Sequence, residues 1–532
     1  MSVQCNKYLS DKEIQEDLHN SWDQNFIVSD EDVSEVEDNI VQYNDTAPVS
    51  ESEDDMNDSV ADNDNINNTS VREYVAKSGR RYLSQPPRGR RRSTQNIIRE
   101  RPGLRPEGNV TSILDSFSKF FTSDIIRIIV QYTNKEAQRK GINVTNETEI
   151  MSLIGIFILM AANDDTKLDY HDLWSERFGR PVYLATMSRN RFRELVKVIR
   201  FDDKNTREDR RKEISLLHFV KTVSVQGVYE GKPGKYGVLI RILADCKERY
   251  VLRMEVYAGK IEDSTPESRG PKSIVKRLAT PLKGSGRNIT TDRYYTSVEL
   301  AEELYTDYGL TLVGTMQTKR KHIPEELKTT KIGRFTLTNS LSQIPIQETH
   351  LLLWFLTSPV KSPKKILVLL STQHKDATVE NDGKKNKSHI NLFYNETKGG
   401  VDTIDQMARK YSTKRGTRRW PLSVFFTLID IAAINGYCLY LMNDPNWEKT
   451  RTNRHRIYLQ ELGLKLIERK VQDRAKNVSG LKNNAVIAME NILSIKIKPP
   501  VADTGDNIAQ GTSSTIGKKR CYICWQVSSK EE

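Results

Sequence analysis

Asp292, Asp402 and Asp405 are the side chains whose surroundings best suit metal-assisted phosphodiester chemistry. Breaking and remaking such a bond is commonly done by two divalent ions that clamp the attacking and leaving oxygens. Magnesium or manganese takes carboxylate oxygens from a few protein side chains for this work. A working set has one acid at a strand end, a second on a neighbouring strand and a third on a helix packed across them. Asn288-Ile289-Thr290-Thr291-Asp292 reads as a short strand ending in an acid. Asp402 and Asp405 follow Gly399-Gly400, and a spacing of three puts both on one helical face. Taken singly, each acid reads more simply as a turn or cap residue.

The elements that would position these acids are visible as periodic patterns. Tyr236–Cys246 is a nearly unbroken apolar run and Tyr250–Tyr257 follows across a short turn, which predicts a hairpin. Strands are also predicted over Val220–Val225, Leu310–Thr315 and Ile366–Leu370, with a helix over Ser297–Tyr305. Helix dominates from Val401 to about Met442, with Pro421 as a start or break. Upstream, Ile113, Phe117, Phe120, Phe121, Ile125, Ile126 and Ile129 recur at helical spacing. Ile150–Met160 is a continuous apolar helix and Arg189–Ile199 an amphipathic one. Phe425–Met442 is the best membrane candidate, but Asp430 and Asn435 interrupt it and it is short for a span. It reads as a buried core helix, and no membrane partner is expected.

Charge divides the 532 residues unevenly. Residues 1–66 hold 19 acids against two bases, so a net charge of +12 leaves +29 on the rest. The acidic arm buries too little apolar surface to offset chain entropy and is expected to be disordered. Residues 67–108 turn basic, with Gly79-Arg80-Arg81 and Pro86-Pro87-Arg88-Gly89-Arg90-Arg91-Arg92, and read as a linker or a nuclear address. A basic body suits double-stranded DNA, whose phosphates it neutralises with release of counterions. Five cysteines make no disulfide framework, and no apolar signal segment follows the first residues, so a reducing compartment, the nucleus, is expected.

The text around the acids is specific. Asn288-Ile289-Thr290-Thr291-Asp292-Arg293-Tyr294-Tyr295-Thr296-Ser297, Leu312-Val313-Gly314-Thr315 and Tyr394-Asn395-Glu396-Thr397-Lys398-Gly399-Gly400-Val401-Asp402-Thr403-Ile404-Asp405-Gln406-Met407 occur in this order, followed by Arg418-Arg419-Trp420-Pro421. With Met187–Phe192, Lys232–Gly237 and Ile323-Pro324, this resembles the piggyBac family of cut-and-paste transposases over roughly residues 110–445. The resemblance implies an α/β ribonuclease H-like core with three catalytic aspartates, flanked by a split helical domain for dimerisation and DNA binding. A cysteine-rich zinc module is implied after it. Asp292 matches the family's second catalytic Asp, Asp402 the third, and Asp405 an additional acid. The implied division is helical residues 110–205, an interrupted core over 215–442, a basic helical part over 443–500 and a tail over 501–532. Arg409, Lys410, Lys414, Arg415, Arg418 and Arg419 are the candidate DNA contacts.

Two parts of the family pattern are missing. The first acid belongs on a strand upstream of the Lys232–Gly237 segment, yet no acid occurs between Glu213 and Glu230. Asp202, Asp203, Glu230 and Asp245 are the possible substitutes. At the other end, Cys521 and Cys524 are half of a four-ligand zinc pattern, with no further Cys or His after them. Three readings follow: a transposase-derived DNA-binding protein impaired in cutting, an active transposase whose gene model skips coding sequence, or a domesticated chromatin scaffold whose acidic arm recruits partners. A homodimer is possible in each.

Overall fold

A computed structural model describes residues 73–83, 98, 103–203, 227–228, 236–237, 239–256, 270–325, 342–343, 354–359, 366–374, 379–381, 386–417 and 419–497. The acidic arm, Val220–Val225, Glu230, Arg418, Cys521 and Cys524 lie outside the described residues.

In chain order, β1 (Glu73–Val75) and β2 (Arg81–Leu83) come first, then α1 (Ile113–Ser118), α2 (Ser123–Arg139), α3 (Glu147–Ala162), α4 (Pro181–Thr186) and α5 (Arg189–Val198). An α/β section follows: β3 (Ile240–Ala244), β4 (Val251–Val256), α6 (Pro271–Ala279), β5 (Asn288–Thr291), α7 (Val298–Thr306), β6 (Thr311–Met316), β7 (Trp354–Pro359), β8 (Ile366–Ser371), α8 (His389–Thr397) and α9 (Gly400–Lys410). The chain returns to helix with α10 (Trp420–Asn443), α11 (Arg454–Ala475) and α12 (Asn483–Leu493).

The helical elements share one core although they come from both ends of the chain. Phe117, Phe157, Phe192 and Tyr183 pack with Leu422, Phe425, Phe426, Tyr458 and Leu462. α3 is apolar on nearly every face, as a helix surrounded by others must be. Its N-terminus is capped by Asn146, whose side chain accepts the Glu149 N–H at 2.9 Å. Buried Glu149 then joins three elements, accepting from Thr145 Oγ1 at 2.8 Å, Arg191 Nη2 at 2.7 Å and Lys470 Nζ at 3.1 Å. Burial pushes its carboxyl upward, but these donors outweigh burial and hold it below the ordinary glutamate range.

α10 corrects the domain boundary expected at 442. It carries Leu422, Phe425, Phe426 and Ile429 into the helical core, while Ile431 packs on Val251 of β4 and Ile404 of α9. The helix Pro421–Asn443 is long and apolar enough to cross a membrane, yet 78% of its 18-residue apolar stretch is buried inside the protein. That is the burial of a core helix.

The main sheet has the order β7-β8-β6-β5, antiparallel except for the parallel β6–β5 pair. Register puts Thr291 opposite Gly314 and Asn288 opposite Thr311. All six residues of β6 are buried, Thr311 and Thr315 included, so both faces of this strand are covered. β5 stands at the edge of this sheet among the described residues, and β3–β4 form a separate antiparallel hairpin. A second correction concerns residues 73–83, expected in a basic linker. They form the β1–β2 hairpin, which docks on the α/β unit. Tyr82 is fully buried and its hydroxyl donates to the His322 carbonyl at 2.9 Å, while Arg80 pairs with Glu302 of α7.

Candidate active site

Asp292 lies one residue beyond β5, and its exposed carboxylate is held by its own turn. Its Oδ1 accepts the N–H of Tyr294 at 2.9 Å and of Tyr295 at 3.3 Å. This local loop is the usual use of an aspartate at a strand end. The turn is fastened behind by Thr296, whose hydroxyl donates to the Asp292 carbonyl at 2.7 Å and meets Thr291 Oγ1 at 2.7 Å. Gly314 on β6 faces this cluster. A Cβ there would come within 2.3 Å of Thr296 Oγ1 and 2.7 Å of the Thr291 carbonyl, so only glycine lets the turn sit this close.

Asp402 lies in the first turn of α9, where a carboxylate meets the positive end of the helix dipole. It too is exposed. The helix start is pressed against the β3–β4 turn: a Cβ on Gly400 would stand 3.0 Å from Cys246 Cα. β5 and α8, the helix just before α9, meet at the hydroxyls of Thr290 and Thr397, 2.8 Å apart. α8 packs on the sheet through Ile390 against Val313 and Leu369. Asp405 is one turn further along α9, also exposed, with Arg409 Nη2 at 3.8 Å.

A two-ion site needs a further acid beside these, and none is in place among the described residues. Among the described residues no group of three His, Cys, Asp or Glu side chains is arranged to hold a metal ion. Asp203 pairs with Lys135 at 3.2 Å and Asp202 is buried. Asp245 spends its carboxylate on the Lys247 and Glu248 N–H groups of its own hairpin turn, both at 2.9 Å. The described carboxylates therefore do not fit a pair of divalent ions.

The expected DNA contacts separate into two groups. Arg409, Lys410 and Lys414 are exposed. Arg415 is 8% exposed, donates to the carbonyls of Asp165 at 3.3 Å and Leu168 at 2.5 Å, and lies 4.4 Å over the Tyr170 ring. Arg419 donates to the carbonyls of Val196 at 2.7 Å and Ile199 at 2.5 Å. Both guanidiniums fasten the segment after α9 to the helical core. Asp430 of α10 does the same, although in the sequence it stands out only as an interruption of an apolar run. It accepts from Ser412 Oγ at 2.9 Å and from Thr413 N and Oγ1 at 2.9 and 2.7 Å.

A family model described as Transposase IS4 matches residues 114–218 and 212–437, more than half of the chain. The chain belongs to this transposase family, in its piggyBac branch. A solved structure described as a piggyBac transposase synaptic complex with hairpin DNA is 29% identical, with a TM-score of 0.63. The match covers 76% of this chain and 90% of that one. The α/β unit is accordingly ribonuclease H-like; Asp292 directly follows β5, at the sheet edge among the described residues, and Asp402 lies on α9.

Proposed function

We propose that this chain is a piggyBac-derived protein that binds double-stranded DNA and, as its sequence stands, does not cut it. The observation that carries this reading is the edge position of β5: Asp292 ends the last strand of the sheet, with no acid-bearing strand beside it among the described residues. The family match also falls into two pieces that meet at residues 212–218, where the first acid's strand is expected. Ions held close together repel one another, and a shared carboxylate normally offsets that repulsion. Losing such a charge costs on the order of a thousandfold or more in rate. The DNA part of the reading rests on the relative's DNA complex and on the exposed Arg409, Lys410 and Lys414 of α9 and the segment after it.

Binding to a duplex of mixed sequence tests this half of the proposal. Affinity is expected to fall at least about a hundredfold between roughly 50 and 200 mM salt, as release of several counterions requires. A flat salt response would remove the electrostatic basis. Residues Arg90–Arg92 are the proposed nuclear address, checked by where a fluorescent fusion lacking them accumulates.

The two-piece family match also favours a second reading, in which coding sequence for the first strand is skipped and the complete protein is an active transposase. Inserting a family first strand between the two matched pieces separates the readings. Metal-dependent cleavage that appears only in the extended chain supports the second; cleavage by neither chain leaves the first.

A further inference from the structure

We infer that Tyr294 is a contact for an unpaired nucleobase, an aromatic platform placed beside the Asp292 carboxylate. This rests on the DNA-binding reading above and adds a ligand chemistry to it. Tyr294 is 55% exposed, an unusual state for a large ring in a turn held at Asp292, Tyr295 and Thr296. Its backbone is fixed, because its N–H is bonded to Asp292 Oδ1 and the turn is closed by Thr296 on the Asp292 carbonyl. Its ring is held as well, edge-to-face with Tyr295 at 4.9 Å between centroids and 85° between planes. Tyr295 is half-buried and in reach of Arg241 on β3, so it supplies a firm support.

An edge-to-face contact occupies at most one face of either ring. At least one face of Tyr294 is therefore open to solvent, two residues from the carboxylate. The surface around it offers two chemistries: a π face from Tyr294 and a cation from Arg293, which is exposed on the same turn. A base and its phosphate present the matching pair, a ring to stack and an anion to neutralise. The base has to be unpaired. In a duplex both faces of each base are covered by its neighbours, and a single ring on a protein turn reaches a base face only where stacking is broken. A hairpin tip or a short single-stranded end provides such bases. An aliphatic peptide side chain would bury the same ring without needing Arg293, and the test tells these apart.

The probe is a DNA duplex ending in a four-nucleotide single-stranded tip that carries 2-aminopurine, compared with the fully paired duplex of the same sequence. The full-length protein is expected to quench the 2-aminopurine and to prefer the tipped probe. Tyr294→Ala is expected to lose the quenching and to weaken tipped-probe binding between about fivefold and a hundredfold, with fully paired binding unchanged. Tyr294→Phe keeps the π face and is expected to retain both, which separates stacking from loss of fold. Equal binding of the tipped probe by the wild type and Tyr294→Ala, with quenching intact, would overturn the inference while leaving DNA binding standing. Absence of binding to either probe by the wild type would overturn both.

Discussion

Adjacent basic residues in this chain do different work, and Lys414 and Arg415 show it most simply. Arg415 is buried, with its donors on two backbone carbonyls, whereas Lys414 projects into solvent. Arg415→Ala strands those carbonyls and removes a charge-assisted contact, so a loss of about 3 kcal/mol of stability is expected in urea unfolding. Lys414→Ala is expected to leave stability within about 0.5 kcal/mol and to lower the salt slope of DNA binding by about one. If Lys414→Ala leaves the slope unchanged, Lys414 has no place among the phosphate contacts. Nothing in the sequence parts the two residues. Both sit in one basic run, and only the path of the chain over Asp165–Tyr170 decides which cation is covered.

At the scale of elements, the segment from Ser412 to Arg419 registers α9, and with it Asp402, against the helical core. Asp430 is its buried anchor. Burial pushes the Asp430 carboxyl up to about 6, against hydroxyl and N–H donors from Thr413 and Ser412 that favour the charged form. The native carboxyl thus holds its proton to higher pH than the unfolded chain, whose value is near 3.8. Its contribution to stability is greatest below 3.8, declines as pH rises and reaches its floor above about 6, a change on the order of 3 kcal/mol. Asp430→Asn keeps an acceptor and does not titrate. Wild type is expected to lose stability relative to it between pH 4 and 6, read from urea midpoints; parallel profiles would show that burial does not govern this group. Asp430→Ala removes the acceptor of three donors and is expected to cost about 3 kcal/mol near pH 4, and less as pH rises towards 6 and wild type loses its own share.

Much of the element pattern was legible. The β5 and β6 strands, the β8 strand, the β3–β4 hairpin and the apolar helix α3 all stand close to where periodicity places them. Period reports which face is buried, and these elements bury a face in the ordinary way. The β1–β2 hairpin was not legible, because its hold comes from partners far along the chain: Tyr82 on the His322 carbonyl and Arg80 on Glu302. Nor was the membership of α10, since a helix apolar on every face does not say which core it joins. At the site, the residues flanking the acids were recognisable as text. The Thr290–Thr397 contact was not, because it joins elements 107 residues apart, nor was the close approach at Gly314, which depends on how β6 sits against the turn after β5.

For the whole molecule, the two cores divide the work. The helical core gathers residues on both sides of the α/β unit, so the strand end bearing Asp292 and the helix bearing Asp402 sit within a frame closed from both ends of the chain. That frame is of the piggyBac type. Arg409, Lys410 and Lys414 are exposed on it, while among the described residues its carboxylates do not make a two-ion site. The most direct measurement is strand cleavage by the full chain on duplex DNA carrying piggyBac-type ends, with magnesium or manganese, under conditions where binding is first verified. The expected result is bound but uncut DNA with either metal. Metal-dependent nicking that disappears in Asp292→Ala and Asp402→Ala would contradict the account.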